Sequence, residues 1–230
     1  MSYRVKPATV QAKYHFDIKN SIHNKCFLGI SIDAPFIGGK HVERVLQWID
    51  SNFQECLIII GDDVHLYNEF IFGNSELEAK NKCKKLGEFA ESKLVAGLEK
   101  MNQNKFQIHH WSSYTNNTEF TSLSKQYKKL FDEDSKFNSS IITCAKNYLK
   151  KQKDKGNYSI VSEEEAIKHS VEYIIEEMTV FSILIGKGYS TLVYPGTILQ
   201  IFKDIVQDVF PDLDSVLKKG IYIDLTIKKN

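Results

Sequence analysis

Apolar residues along this chain gather in short, nearly unbroken runs, separated by longer stretches where they recur every three or four positions. Residues 26–32 (CFLGISI) and 56–60 (CLIII) are the densest runs. Strands covered on both faces of a parallel sheet carry this pattern. Residues 106–111, 191–194 and 220–227 (GIYIDLTI) add three more segments of strand character. Between them the period is helical. Residues 41–53 place Val42, Val45, Leu46 and Ile49 on one stripe, 76–101 form a long charged helix, and 120–131 and 137–151 predict two more. Ser162 opens another helix, with Glu163, Glu164 and Glu165 in a first turn that suits negative charge. This alternation predicts an α/β fold of Rossmann type, a mainly parallel sheet with right-handed crossovers and helices on both faces.

Length and composition narrow the class. At 230 residues the chain suits a single domain over 1–230 and is short for two. A net charge of +1 gives no global reason to bind nucleic acid, so any basic surface must be local. Four cysteines (Cys26, Cys56, Cys83, Cys144) without a CxxC pair argue against zinc and a disulfide scaffold, and favour a reducing cytoplasm. The opening MSYRVKPATV lacks an apolar core of signal-peptide length, and no apolar run spans a bilayer. A cytoplasmic protein with no membrane association is expected, and nothing suggests an obligate partner, so a monomer is expected too.

Several familiar chemistries are missing. There is no GxGxxG, no GxxxxGK[ST] and no HExxH, and the nucleophile elbow GxSxG fails around Ser31 at its second glycine. His109 and His110 are adjacent, so on a strand they face opposite ways. Asp62 and Asp63 could take Mg²⁺, but acidic residues are common at strand ends, and no metal is expected.

Ligands in such a sheet bind beyond the carboxyl ends of the strands. Ser31, Gly61-Asp62-Asp63 and Tyr194-Pro195 would share that edge. Ser31 there is either a nucleophile or the start of a loop, and its neighbours leave both open. The helix EEEAIKHSVEYIIEEMTVFSIL carries Ala166, Ser170, Tyr173, Ile174, Glu177, Phe181 and Leu184 on one stripe. Glu165, Glu172, Glu176 and Thr179 fall on another face and are expected to be solvated. Glu177 thus lies within the apolar stripe, one turn from Tyr173. Buried there, its carboxylate needs a cation or several donors: a lysine or arginine of the fold, or a substrate ammonium. A part-exposed glutamate at the stripe's margin is the plainer reading.

Gly29-Ile30-Ser31, Tyr173-x-x-x-Glu177 and Tyr194-Pro195, in this order over roughly residues 26–204, resemble the cyclodipeptide synthases. Those enzymes join two aminoacyl groups from aminoacyl-tRNAs into a cyclic dipeptide. Ala34, where one subgroup has asparagine, and Pro195 after Tyr194 look like the subgroup named XYP. The resemblance implies a fold similar to the catalytic domain of class I tyrosyl- and tryptophanyl-tRNA synthetases, without their ATP-binding motifs. No HIGH-like or KMSKS-like segment is present. No cofactor is implied, because an aminoacyl ester is already activated.

By the same resemblance Ser31 is the nucleophile, Tyr173 and Glu177 hold the substrate ammonium, and Tyr194 relays a proton. Gly29 would leave room for the first side chain, and Ala34 and Pro195 would join Gly29, Tyr173, Glu177 and Tyr194 in binding substrate. Lys80, Lys82, Lys84 and Lys85 would form a basic helix that grips tRNA. Glu76, Glu78, Glu88 and Glu91 interleave with them, so a solvated mixed-charge helix is the other reading. A second basic region comprises Lys125, Lys128, Lys129, Lys146, Lys150, Lys151, Lys153 and Lys155. No histidine is placed to activate Ser31, which leaves the departing ribose hydroxyl. Two alternatives stand beside this: a serine-dependent acyl hydrolase using Ser31, and a non-catalytic RNA- or nucleotide-binding Rossmann domain.

Overall fold

The apolar runs at 26–32 and 56–60 form the centre of a parallel sheet. The computed structural model describes residues 3–12, 17, 24–34, 37, 40–211, 213 and 216–229. In chain order the strands are β1 (Tyr3–Gln11), β2 (Lys25–Ile30), β3 (Glu55–Ile60), β4 (Phe106–His110), β5 (Thr191–Tyr194) and β6 (Ile221–Lys229). They lie in the order β1-β6-β5-β2-β3-β4. The five strands from β6 to β4 are mutually parallel, and β1 pairs antiparallel with β6. The helices are α1 (Lys40–Asn52), α2 (Leu66–Ile71), α3 (Glu76–Leu98), α4 (Ser112–Thr115), α5 (Thr118–Glu133), α6 (Ser135–Asp154), α7 (Glu163–Gly186) and α8 (Gln200–Val206).

Strand alternation divides the core in two. Cys26, Leu28 and Ile30 of β2, with Ile58 and Ile60 of β3, pack against Val42 and Leu46 of α1 and Leu94 of α3. Phe27, Leu57, Ile59, Leu192 and Tyr222 face the other way, onto α5 to α8. Gly29 has the parity of Phe27 and so lies on the α7 side. Ile58, Ile59 and Ile60 are almost completely buried, and each contributes roughly 2–3 kcal/mol by leaving water. The four cysteines are free and buried. No helix among the described residues is long and apolar enough to cross a membrane.

Two features depart from the sequence pattern. β1 was masked by Pro7, which weakens a strand signal. As an edge strand it tolerates the missing N–H, and the register shifts between Pro7 and Thr9. The first apolar run, in turn, stops as a strand at Ile30, so Ser31 lies just beyond β2 in a turn closed by Ala34 N donating to Ser31 O at 3.0 Å.

From β2 the chain runs outward through β3 to β4, then returns to the other side of β2 for β5 and β6. The carboxyl ends of β2 and β5 therefore flank the point where strand order reverses, and crevices open there. Ser31 follows one of these strands and Tyr194 ends the other.

Candidate active site

At that crevice lies a cavity of about 320 Å³. Ser31 and Asp33 enter it from the end of β2, Tyr173 and Glu177 from α7, and Tyr194 from β5. Ala34 and Pro195 also line it. Gly29 does not; a Cβ there would sit 3.5 Å from Leu192 Cδ1 and 3.6 Å from Tyr194 Cδ2, in ordinary contact with two side chains that do. Gly196 matters more to the geometry. A Cβ at 196 would lie 2.8 Å from Tyr194 Cε1, so only glycine lets the tyrosine ring fold back over the turn made by Gly196 N donating to Tyr194 O at 2.9 Å. Nothing in the sequence pattern singled Gly196 out.

The Ser31 hydroxyl donates to Asp33 Oδ1 at 2.5 Å. Asp33 was not singled out from sequence, because an acid two residues after a serine is ordinary in turns. Deeper in, Tyr173 OH donates to Glu177 Oε1 at 3.3 Å. Burial pushes the Glu177 carboxyl up to about 8, against the opposing pull of that hydrogen bond. Burial, with Glu177 next in weight, holds the Tyr173 and Tyr194 hydroxyls well above the usual phenol range. Both phenols are therefore O–H donors at neutral pH. No lysine or arginine is paired with Glu177 among the described residues. Of the two remedies for a buried carboxylate, the fold supplies one hydrogen-bond donor and, among the described residues, no paired cation.

The helix wheel needs correction on its other face. Glu176 and Thr179 are not solvated. Thr179 is fully buried, its hydroxyl donating to Ile175 O at 2.8 Å. Glu176 accepts from Trp111 Nε1 at 2.7 Å and from Tyr67 OH at 2.9 Å. The reason is that beyond its exposed first turn α7 packs against α2, α5 and α6 as well as against Phe27 of β2, while Glu165 stays exposed as the wheel had it. Burial raises the Glu176 carboxyl too, although both donors oppose it. Glu176→Ala should strand these two donors and cost about 1–3 kcal/mol, read as a lower urea midpoint. Glu176→Gln, which keeps an acceptor, should cost less.

The remaining candidates have partners of their own. Asp62 accepts from His110 Nδ1 at 2.6 Å, Trp111 N at 3.2 Å and Asp63 N at 3.0 Å. Its acceptor sites are filled by protein donors, and among the described residues no group of three His, Cys, Asp or Glu could hold a metal ion. His109 turns the opposite way, to Tyr114 OH at 2.8 Å, and neither histidine lines the cavity. On α3, Lys80 pairs with Glu76 at 2.6 Å and Lys84 with Glu88 at 3.9 Å. Lys82 reaches Glu69 at 2.7 Å, a carboxylate that is almost completely buried. Lys82 therefore has a structural duty. From the second basic region, Lys151 and Lys155 line the cavity.

The sequence profile of the family described as cyclodipeptide synthase matches residues 3–206. The chain belongs to the cyclodipeptide synthase family. The cyclo(L-leucyl-L-leucyl) synthase of Staphylococcus haemolyticus is 24% identical over 158 residues, 67% of this chain and 66% of that protein. The aligned stretch thus falls just short of two thirds of that relative's length. A Mycobacterium tuberculosis protein, whose structure relates cyclodipeptide synthetases to type I tRNA synthetases, superposes with a TM-score of 0.71 at 13% identity, covering 99% of this chain and 94% of that one. A cyclodipeptide synthase from Candidatus Glomeribacter gigasporarum, bound to Phe-tRNAPhe, gives 0.64 at 17% identity over 90% and 88%. The Rossmann-like fold, a six-stranded, mainly parallel sheet with helices, is shared with these structures. A generic acyl hydrolase and a non-catalytic nucleotide-binding domain have no support.

Proposed function

We propose that this chain is a tRNA-dependent cyclodipeptide synthase of the XYP type, with Ser31 as the acyl-accepting nucleophile. The observation that carries the reading is the meeting of Ser31, Tyr173, Glu177 and Tyr194 in one cavity, from three separate elements. Glu177 and Tyr173 bind the α-ammonium of the first aminoacyl group, the missing cation of the buried carboxylate. Asp33 fixes the rotamer of the Ser31 hydroxyl. Attack by Oγ forms the Ser31 ester and breaks the bond to the tRNA ribose, whose oxygen ends with the proton. The amine of the Ser31-bound residue then attacks the ester of the second aminoacyl-tRNA, which forms the peptide bond, breaks the bond to the second ribose oxygen, sends the proton to that oxygen and leaves the dipeptidyl-enzyme on Ser31. Ring closure expels Ser31, with the Tyr194 hydroxyl moving the proton from amine to leaving oxygen. Aminolysis of an ester runs downhill, so no nucleotide is required. The apolar floor formed by Phe181, Leu192, Ile198 and Phe202 suits an apolar first residue.

The substrate class follows from the family and from the relative seen with Phe-tRNA; the cytoplasm, where charged tRNA is found, is the matching location. The test is to incubate the protein with a mixture of charged tRNAs and search for 2,5-diketopiperazines by mass spectrometry. Free amino acids without cyclic product would sink the reading. The exposed lysines of α3 are assigned to the tRNA body. Lys80, Lys84 and Lys85 replaced together by alanine should weaken binding of different tRNAs alike and flatten its salt dependence. Lys82 is left in place to keep Glu69 neutralised. Unchanged affinity and slope in filter binding would make α3 a solvated helix only.

A further inference from the structure

We propose that Lys151 and Lys155 bind the internucleotide phosphates nearest the 3′ end of the RNA, so that the rim of the cavity grips the strand while its interior takes the aminoacyl group. If the substrate is an aminoacyl-tRNA, as proposed above, its ester must reach Ser31 with the last phosphates close behind. The face of α6 that borders the cavity is graded to match. Cys144, Tyr148, Lys151, Gln152 and Lys155 all line it, and steps of four, three, one and three residues make them one helical stripe. Along this stripe Cys144 is buried, Tyr148 is part-buried, and Lys151 and Lys155 are exposed. The wall thus passes from an apolar floor to a cationic rim. Between the lysines, Gln152 is buried and accepts from Asn157 Nδ2 at 2.9 Å, which ties the following loop to the same turn.

The contrast with α3 gives the rim its weight. Lys80, Lys82 and Lys84 are each matched to a protein carboxylate. Among the described residues neither Lys151 nor Lys155 is in an ion pair. A phosphate arriving at the rim displaces no carboxylate from either lysine. Four residues apart on a helix, their backbone positions differ by about 6 Å along the axis, so the two can meet successive phosphates of an extended strand. A plainer duty also exists, since cations near a helix C-terminus complement its dipole.

A double-variant cycle separates the two duties. The probe is a fluorescently labelled RNA minihelix ending in single-stranded CCA, with natural linkages or with neutral methylphosphonates at the two 3′-terminal linkages. Against natural RNA, K151A/K155A should bind about tenfold more weakly than the parent protein. The slope of log affinity against log salt should be shallower by roughly 1.4, at ~0.7 per phosphate of a single strand. The methylphosphonates should weaken the parent protein by a similar factor and the variant hardly at all, and K151R/K155R should behave as the parent. Equal weakening of both proteins by the neutral linkages would overturn the proposal. So would unchanged affinity with a lower melting temperature, the mark of the dipole role. If the parent neither binds the minihelix nor makes cyclic dipeptide from charged tRNA, the aminoacyl-tRNA reading falls with it. Binding without coupling between lysines and linkages removes the phosphate assignment alone.

Discussion

Ser31→Ala is expected to lose cyclic dipeptide formation by roughly 10³-fold or more, on the scale seen when an acyl-transfer nucleophile is removed, while staying folded. The hydroxyl projects into the cavity and its partner is Asp33, itself exposed. Removing Oγ therefore leaves no buried group unsatisfied, and the melting temperature should hardly move. Intact-protein mass spectrometry after exposure to charged tRNA should show an aminoacyl adduct on the parent protein and none on the variant. Substantial cyclic product from the alanine variant would end the covalent route. It would leave the cavity to act as a template that aligns two tRNA-borne esters.

Glu177→Gln should separate activity from stability. Losing a charged hydrogen-bond partner in a shielded site costs on the order of 2–5 kcal/mol, which is roughly thirty- to several-thousandfold in rate. Stability should move the other way. Burial raises this carboxyl from 4.5 to about 8, so between those values the folded protein holds a proton that the unfolded chain has released. Stability therefore falls as pH rises through that window and levels off above it. Glutamine has no proton to lose. The variant should gain on the parent steadily from pH 5 to pH 8, by up to roughly 4 kcal/mol at the top. Urea denaturation at the two pH values measures this. A parent stability flat with pH, or a variant as active as the parent, would mean that the carboxylate is not held dry for a substrate cation. In the proposed mechanism an arriving ammonium would ionise Glu177, whose carboxyl burial holds up at about 8 in the empty site.

The fold and much of the site were legible because local rules fix them. The runs at 26–32 and 56–60 cannot be satisfied outside a sheet covered on both faces, and Ser162 caps α7 in the structure by accepting from Glu165 N at 3.2 Å. The wheel that put Tyr173, Ile174, Glu177 and Phe181 on one stripe describes the wall of the cavity. It failed one residue away. Thr179 is buried and Glu176 is half-buried with both carboxylate oxygens hydrogen-bonded, because α2, α5 and α6 pack on α7, and a helix's own period carries no information about how many neighbours surround it.

What the sequence by itself determined is thus the order of the five parallel strands and the five longer helices, the alternation of residues between the two faces of a strand, and the three short segments that end at the carboxyl edge. Periodicity of 2 and 3.6 residues and hydrogen-bond chemistry act over a few positions and need nothing further. Only the tertiary structure decided that β2 and β5 are neighbours, and hence that Ser31 and Tyr194 share a cavity although 163 positions apart in the numbering. It alone paired Lys80, Lys82 and Lys84 of α3 with carboxylates and left Lys151 and Lys155 of α6 lining the crevice. Desolvation and ion pairing depend on which surfaces come within a few ångströms of each other, and that distance is set by packing, not by spacing along the chain.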